Sequence, residues 1–328
     1  MKKRLVLIDG HAILHRAYHA LPKSLTNRHG QLVNAVYGFT RMLLRVIEDL
    51  GPFYLAVTFD RPEPTFRHRE FIGYQIQRPK MDEALKDQIE IIREVLSALA
   101  LPVFEKNGFE ADDIIGTLAF QARVLKRKTT KQSGSGRRSS SGAKSRIETI
   151  IVTADRDIFQ LINDSTLVYA PIKGFSEARL FDAEGVKESL GVWPDQIVDY
   201  KALMGDSSDN YPGVPGIGPK TAVRLLESFG SLENIYLNLD KLPVSVARKL
   251  KEGKESALLS QKLARITIKA PVKLILKKCR LADYDREKAL TLFKKLGFKS
   301  LMNKLPGDLP DSEREGEKEQ IRRQLKLV

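Results

Sequence analysis

The sequence predicts an α/β fold: a mostly parallel central sheet with helices on both faces, followed by a helical module. Three observations carry this. The apolar runs 4–8, 54–59 and 149–152 are short and sharply bounded, as fully buried strands are. Stretches with helical periodicity separate them. After residue 205 a glycine-rich loop opens a second, largely helical portion. Strands that alternate with helices pair in parallel through crossovers, which covers both sheet faces.

The elements follow in order. The first run ends in Asp9-Gly10. Phe39, Met42, Leu43, Val46, Ile47 and Leu50 then fall at helical spacing, and Gly51-Pro52 stops that helix. The second strand ends at Asp60. Residues 61–80 are rich in Arg, Pro and aromatics and show no period. From Met81 a helix places Ile92, Val95, Leu96 and Leu99 on one face. Residues 102–109 lead into Glu110-Ala111-Asp112-Asp113 and an apolar helix ending near Leu125. Residues 126–146 are Ser-, Gly- and Lys/Arg-rich without apolar period and read as a disordered loop. The third run ends in Thr153-Ala154-Asp155-Arg156-Asp157. Short strands are expected near 166–169 and 178–181 in an otherwise helical remainder. The expected division is an α/β core over 1–204, a helical module over 205–300 and a charged tail over 301–328.

Composition narrows the function classes. The formal net charge is +14, but residues 126–146 alone hold eight basic residues and no acid. The excess therefore says less about nucleic-acid binding by the folded part than its size suggests. No run reaches the roughly 18 apolar residues of a membrane helix, and the apolar stretch after Met1-Lys2-Lys3-Arg4 is too short for a signal peptide. A cytoplasmic protein without membrane association is expected. The single cysteine, Cys279, excludes intramolecular disulfides. Its basic neighbours would favour a thiolate, against the plainer reading of a small residue ending a strand-like run.

In open parallel sheets ligands bind beyond the carboxyl ends of the strands, and Asp9, Asp60 and Asp155 each stand at such an end. Glu110, Asp112, Asp113, Asp157, Asp206 and Asp209 sit at helix starts and turns. Each acid alone also reads as a cap or turn residue. Brought together, they would repel one another and raise each other's pKa unless cations intervene. All-oxygen donors without a His/Cys set point to hard ions, Mg²⁺ or Mn²⁺. Two such ions suit phosphodiester hydrolysis and need no nucleophilic side chain. His11, His15 and His19 recur every four residues and share a helix face; without a matching ligand they read as surface or structural.

Residues 205–222, GDSSDNYPGVPGIGPKTA, place Gly213, Gly216 and Gly218 before a helix that Pro219 starts and Gly230 ends. Such a loop offers free backbone N–H groups to a phosphate, with Lys220 and Thr221 beside it. A plain turn between helices is the alternative. In 61–80, Phe66, Arg67, Phe71, Tyr74 and Arg78 suit guidance of a single strand by stacking and charge, or local core packing.

These motifs occur in the order of a known family. Over roughly residues 4–300 the sequence resembles the 5′-nuclease domain at the N-terminus of bacterial DNA polymerase I and the related flap endonucleases. VLIDGHAILHRAYHAL, FDRPEPTFRH, GFEADDIIGTLA, TADRDIFQLI and GDSSDNYPGVPGIGPKTA carry the resemblance. It implies a PIN-like core, a helix–three-turn–helix module that grips duplex DNA, and a 5′-3′ exonuclease or flap endonuclease activity in primer removal and repair. It also implies two Mg²⁺ (or Mn²⁺), one near Asp9, Asp60, Glu110 and Asp112, the other near Asp155, Asp157 and Asp209. Asp113 and Asp206 would be outer or shared, Arg78 would assist catalysis, and a monovalent cation (K⁺) would sit on hairpin carbonyls. The implied substrates are DNA with a 5′ flap, nick or free 5′ end, including RNA–DNA hybrids. The resemblance is to a stand-alone, monomeric form working with a separate polymerase.

Two departures stand out. The family's arch segment reads Tyr-Lys-x-x-Arg, whereas here Tyr74-Gln75-Ile76-Gln77-Arg78 puts a neutral amide where the lysine assists at the scissile phosphate, so slower chemistry is expected. The basic stretch 126–146 is the second: nonspecific phosphate contacts, or a tolerated insertion. Gln75 also leaves open a DNA-structure-binding protein with weakened catalysis. A related ribonuclease is the remaining alternative.

Overall fold

The structure, a computed structural model, describes residues 3–131, 147–173, 177–281 and 284–306. Its elements run β1 (Lys3–Asp9), α1 (Gly10–Ala20), α2 (Asn34–Leu50), β2 (Tyr54–Thr58), α3 (Phe66–Glu70), α4 (Glu83–Ala98), β3 (Val103–Phe104), α5 (Ala111–Lys131), β4 (Ile147–Val152), β5 (Thr166–Lys173), β6 (Glu177–Phe181) and α6 (Ala183–Leu190). The chain continues through α7 (Ile197–Met204), α8 (Pro219–Phe229), α9 (Leu232–Leu237), α10 (Val244–Glu252), α11 (Lys254–Ala264), α12 (Arg286–Leu296) and α13 (Lys299–Met302).

The six strands lie in the order β3-β2-β1-β4-β5-β6. All pairs are parallel except β5 with β6, a hairpin. Side chains of β1 alternate between the two faces, as the strand period requires. Val6 and Ile8 join a core built with α1, α2, α4 and α12, while Leu5 and Leu7 join one built with α5 to α8. Both faces are thus covered, and all four residues are fully buried. The strand order reverses between β1 and β4, which opens a crevice at their carboxyl ends.

Most helix ends match their sequence signals. Gly51 closes α2 in a left-handed conformation, and the side chain of Asp82 caps α4. Three details differ from expectation. The two-residue strand β3 is too short to leave a pattern. Residues 61–80 contain the short helix α3, whose Thr65 and His68 form a reciprocal capping pair. The helix expected to end near Leu125 runs on to Lys131. The basic stretch beyond it, 132–146, and the charged tail beyond 306 lie outside the described residues. No helix among the described residues is long and apolar enough to cross a membrane.

Cys279 ends a 3-10 turn, not a strand, and is fully buried. Burial pushes its thiol up to about 11. Its lysine and arginine neighbours therefore do not make it reactive, because desolvation outweighs their charge.

Candidate active site

The crevice between β1 and β4 is where the acids gather. Asp9 ends β1 and does two jobs. Its Oδ1 accepts the Ala12 N–H at 3.0 Å, capping α1, and its Oδ2 accepts the Thr153 hydroxyl at 2.8 Å. Asp60 follows β2, and its Oδ1 accepts the Ala111 N–H at 2.7 Å at the start of α5. The capping reading holds for both acids, and the caps fix the carboxylates at the strand ends.

His11 lies against Asp60. The Asp60 N–H donates to its Nδ1 at 2.9 Å, so that nitrogen carries no proton and the 3.4 Å approach of Asp60 Oδ2 is not an ion pair. Burial lowers the His11 pKa accordingly. His15 and His19 continue the stripe, with ring centroids 6.5 and 6.3 Å apart along it.

The start of α5 separates three acids. Glu110 accepts the Thr65 hydroxyl at 3.1 Å and the Tyr74 hydroxyl at 3.1 Å. Asp112 faces the cluster. Asp113 is turned out of it and fully buried, and Arg67 grips it through two hydrogen bonds of 2.8 and 2.9 Å. Arg67 also donates to the carbonyls of Leu263 and Arg265 at 2.8 and 3.0 Å. This corrects the expectation that Arg67 guides a single strand: with 2% exposure and its donors engaged, it ties α3 and α5 to the end of α11. Tyr74 is likewise 3% exposed, so it is a donor to Glu110 and Asp209 rather than a stacking platform.

Asp155 and Asp157 follow β4, with the Asp157 N–H donating to Asp155 Oδ1 at 2.8 Å. Asp206 and Asp209 lie in the turn after α7, and Asp206 Oδ1 accepts the N–H groups of Ser208 and Asp209 at 2.7 and 3.2 Å. Lys201, which no sequence motif flagged, projects from α7 between Asp157 and Asp206. Its ammonium lies 2.6 Å from Asp157 and is paired with Asp206. The only signal for it was its place one helical turn before Gly205.

Electrostatics separates the acids. Burial, then Asp60, raises Asp9 to about 7. Burial raises Glu110 to about 7, with Arg67 opposing. Asp112 is pushed well above the carboxylate range by burial and by Asp155, Asp9, Asp60 and Glu110. Burial raises Asp155, and burial with Asp155 raises Asp157 to about 7. Asp206 moves the other way: burial is outweighed by Lys201 and Ser208. Lys201 is held above its ordinary value, with burial opposed and overcome by Asp157 and Asp206.

The acids therefore lie within each other's field. Among the described residues, however, no three Asp, Glu, His or Cys side chains converge to the spacing of a ready-made coordination shell.

The glycine loop also divides. Gly213 is buried at φ +62°, and a Cβ there would lie 2.2 Å from the Gly205 nitrogen. Its N–H donates to Ser260 Oγ at 3.0 Å. Gly213 therefore packs the loop onto α7 and α11 and does not face a phosphate, contrary to expectation. Gly216, Gly218 and Lys220 are exposed, with Thr221 half-buried at the start of α8. Lys249, from α10, donates to the Gly216 carbonyl at 3.1 Å.

Residues 4–133 match the family model described as 5′-3′ exonuclease, N-terminal resolvase-like domain, and residues 192–287 match 5′-3′ exonuclease, C-terminal SAM fold. The chain belongs to the 5′-3′ exonuclease family. DNA polymerase I of Bacillus caldotenax is 42% identical over 316 residues, 96% of this chain and 33% of that protein. DNA polymerase I of Bacillus subtilis (strain 168) is 38% identical over 98% of this chain and 34% of that protein. The chain thus spans about a third of the length of these relatives. Among solved structures, a bacteriophage T5 D15 flap endonuclease complex with DNA and metal ions matches with TM-score 0.60 at 18% identity, covering 97% of this chain and all of that one. The catalytic core of Rad2 with a DNA substrate matches with TM-score 0.55 at 16% identity, covering 98% and 92%. The 5′-3′ exonuclease family fold accordingly extends over both portions of the chain.

Proposed function

We propose that the chain is a divalent-metal-dependent 5′-3′ exonuclease and flap endonuclease that hydrolyses DNA phosphodiester bonds, in primer removal and repair, in association with DNA polymerase activity. The observation that carries this reading is the set of Asp9, Glu110, Asp112, Asp155 and Asp157, all raised in pKa by burial and further by neighbouring carboxylates, at one sheet crevice. Such a set costs free energy until hard cations occupy it.

The donor set fits those cations. It is all oxygen, although the Lys201 ammonium lies 2.6 Å from Asp157 Oδ1 and would have to give way to an ion there. Asp9, Asp60, Glu110 and Asp112 would hold one Mg²⁺ or Mn²⁺, and Asp155, Asp157 and Asp209 another. Bound there, the ions would supply an activated water and neutralise charge on the phosphate. The chain's own residues do the rest. Thr153 and the first turn of α1 orient Asp9. Thr65 and Tyr74 orient Glu110. Arg78, half-exposed on Asp209, would meet the phosphate oxygens. Gly216, Gly218, Lys220 and Thr221 would hold the duplex backbone without reading sequence. A K⁺ at this hairpin would have to share the Gly216 carbonyl with the Lys249 ammonium.

On this reading residues 1–204 form the nuclease core, 205–300 the duplex-gripping module and 301–328 a charged tail. The test is cleavage of a 5′-labelled DNA flap with Mg²⁺ against EDTA. Cleavage that needs the divalent ion is expected; none at any metal concentration rejects hydrolysis in favour of structure-specific DNA binding, which Gln75 favours. Faster cleavage of an all-RNA flap would mark a ribonuclease instead.

A further inference from the structure

The arch touches the acid cluster most closely at Asp209, and Gln75 makes that contact twice. Its backbone N–H donates to the Asp209 carbonyl at 2.9 Å, and its side-chain amide donates to Asp209 Oδ1 at 2.9 Å. Arg78 Nη2 donates to the same Oδ1 at 3.0 Å, and the Tyr74 hydroxyl reaches Oδ2 at 3.3 Å. Asn210 closes the join from the other side, donating from Nδ2 to the Gly73 carbonyl at 2.7 Å. A carboxylate oxygen accepts about two hydrogen bonds, so Oδ1 is fully used by the arch.

Apart from these contacts the stretch is anchored at Tyr74, which is buried in a small core with Val198, Tyr211, Leu263 and Ala264 and donates to Glu110 at 3.1 Å. Ile72 and Ile76 are 88% and 68% exposed, so apolar burial contributes nothing at those two positions. Gln75 itself sits at φ +55°, a left-handed backbone that residues with a Cβ adopt only when their surroundings impose it. The two contacts to Asp209, beside the buried Tyr74, hold it there. A neutral amide also binds Asp209 without cancelling its charge, as a lysine there would.

We propose that Gln75 is a positioning residue, a latch that fastens residues 72–78 to Asp209, so that closing of the arch tip and release of Asp209 toward a divalent cation form one equilibrium. This rests on the nuclease reading above, since it takes Asp209 to be a cation ligand. Linkage then runs both ways: a cation that takes Asp209 Oδ1 loosens the arch tip, and a tip held closed weakens that cation.

The test uses the full chain without DNA, with Ca²⁺ as the probe. Amide hydrogen exchange at 72–78 and Ca²⁺ binding by calorimetry are measured for the wild type and for Gln75→Ala. The wild type should show faster exchange at 72–78 when Ca²⁺ is added. Gln75→Ala should already exchange about five- to tenfold faster without Ca²⁺, the worth of one or two net hydrogen bonds. It should also bind its weaker Ca²⁺ more tightly by a similar factor. Unchanged exchange in α4 and α11 shows that the variant is folded. Equal exchange at 72–78 in the two proteins, or equal Ca²⁺ affinity, overturns the latch alone. A wild type that binds no Ca²⁺ and leaves a DNA flap intact in Mg²⁺ overturns the nuclease reading itself.

Discussion

The acids around the end of β1 and those in the turn after α7, within the same cluster, are neutralised differently. Asp9 and Asp112 face other carboxylates and caps, and both are pushed above the ordinary carboxylate range. Asp206 has Lys201, and it is held below that range although it too is partly buried. Asp209 has Arg78, Gln75 and Tyr74. Residue type is shared; what differs is whether the fold delivers a cation. One half of the cluster has, among the described residues, no cation of the protein's own beside it, and on the proposed function an external ion would compensate it. The other is already occupied by the protein's own donors, which an incoming ion or phosphate must displace.

The largest effect expected from breaking this contrast is at Lys201. Lys201→Met leaves Asp157 and Asp206 without their buried cation and should cost about 3–5 kcal/mol of stability by urea unfolding in EDTA. Adding Asp157→Asn should recover part of that loss; no recovery would show that Lys201 acts through packing alone. Next comes Asp112→Asn on the uncompensated side. It should cut Mg²⁺-dependent flap cleavage by about 10²–10³-fold, the scale of losing one preorganised electrostatic group. The same variant should melt higher than the wild type in EDTA at pH 8, because it removes a repelled buried charge. Lower melting would mean that Asp112 is compensated after all.

The contrast also has a pH signature. Asp9, Glu110 and Asp157 keep their protons in the folded chain up to about 7, whereas unfolded carboxyls lose them near 4. Between those values the folded state binds more protons, so stability falls as pH rises. The melting temperature in EDTA should drop by roughly a few degrees between pH 5 and pH 8. Mg²⁺ should restore it at pH 8 and have little effect at pH 5. A melting temperature that rises over this range in EDTA would reverse the assignment. The smallest effect is at the arch: Gln75→Lys should speed single-turnover cleavage by about tenfold by adding charge at the phosphate. An unchanged rate would show that Arg78 already suffices.

Much of this was legible in the letters. The buried runs before Asp9, Asp60 and Asp155 mark three parallel strands, because a strand covered on both faces is apolar throughout and ends abruptly. GDSSDN followed by GVPGIGPKTA marks the turn and hairpin. Arg67, Tyr74 and Gly213 were misplaced for a common reason. Each type serves equally as a surface contact or as a buried tie, and only the partner decides. Arg67 finds Asp113, Tyr74 finds Glu110 and Asp209, and Gly213 finds the backbone of Gly205.

By itself the sequence determined the α/β class, the family and which acids end strands, since periodicity, strand bounds and motif order are local properties of the chain. Tertiary structure decided which carboxylates receive a cation, that Lys201 stands between two of them, and that Gln75 reaches Asp209 across 134 residues. Charge compensation depends on distances between segments far apart in sequence. A pKa or an ion pair therefore has no value until the fold brings them together.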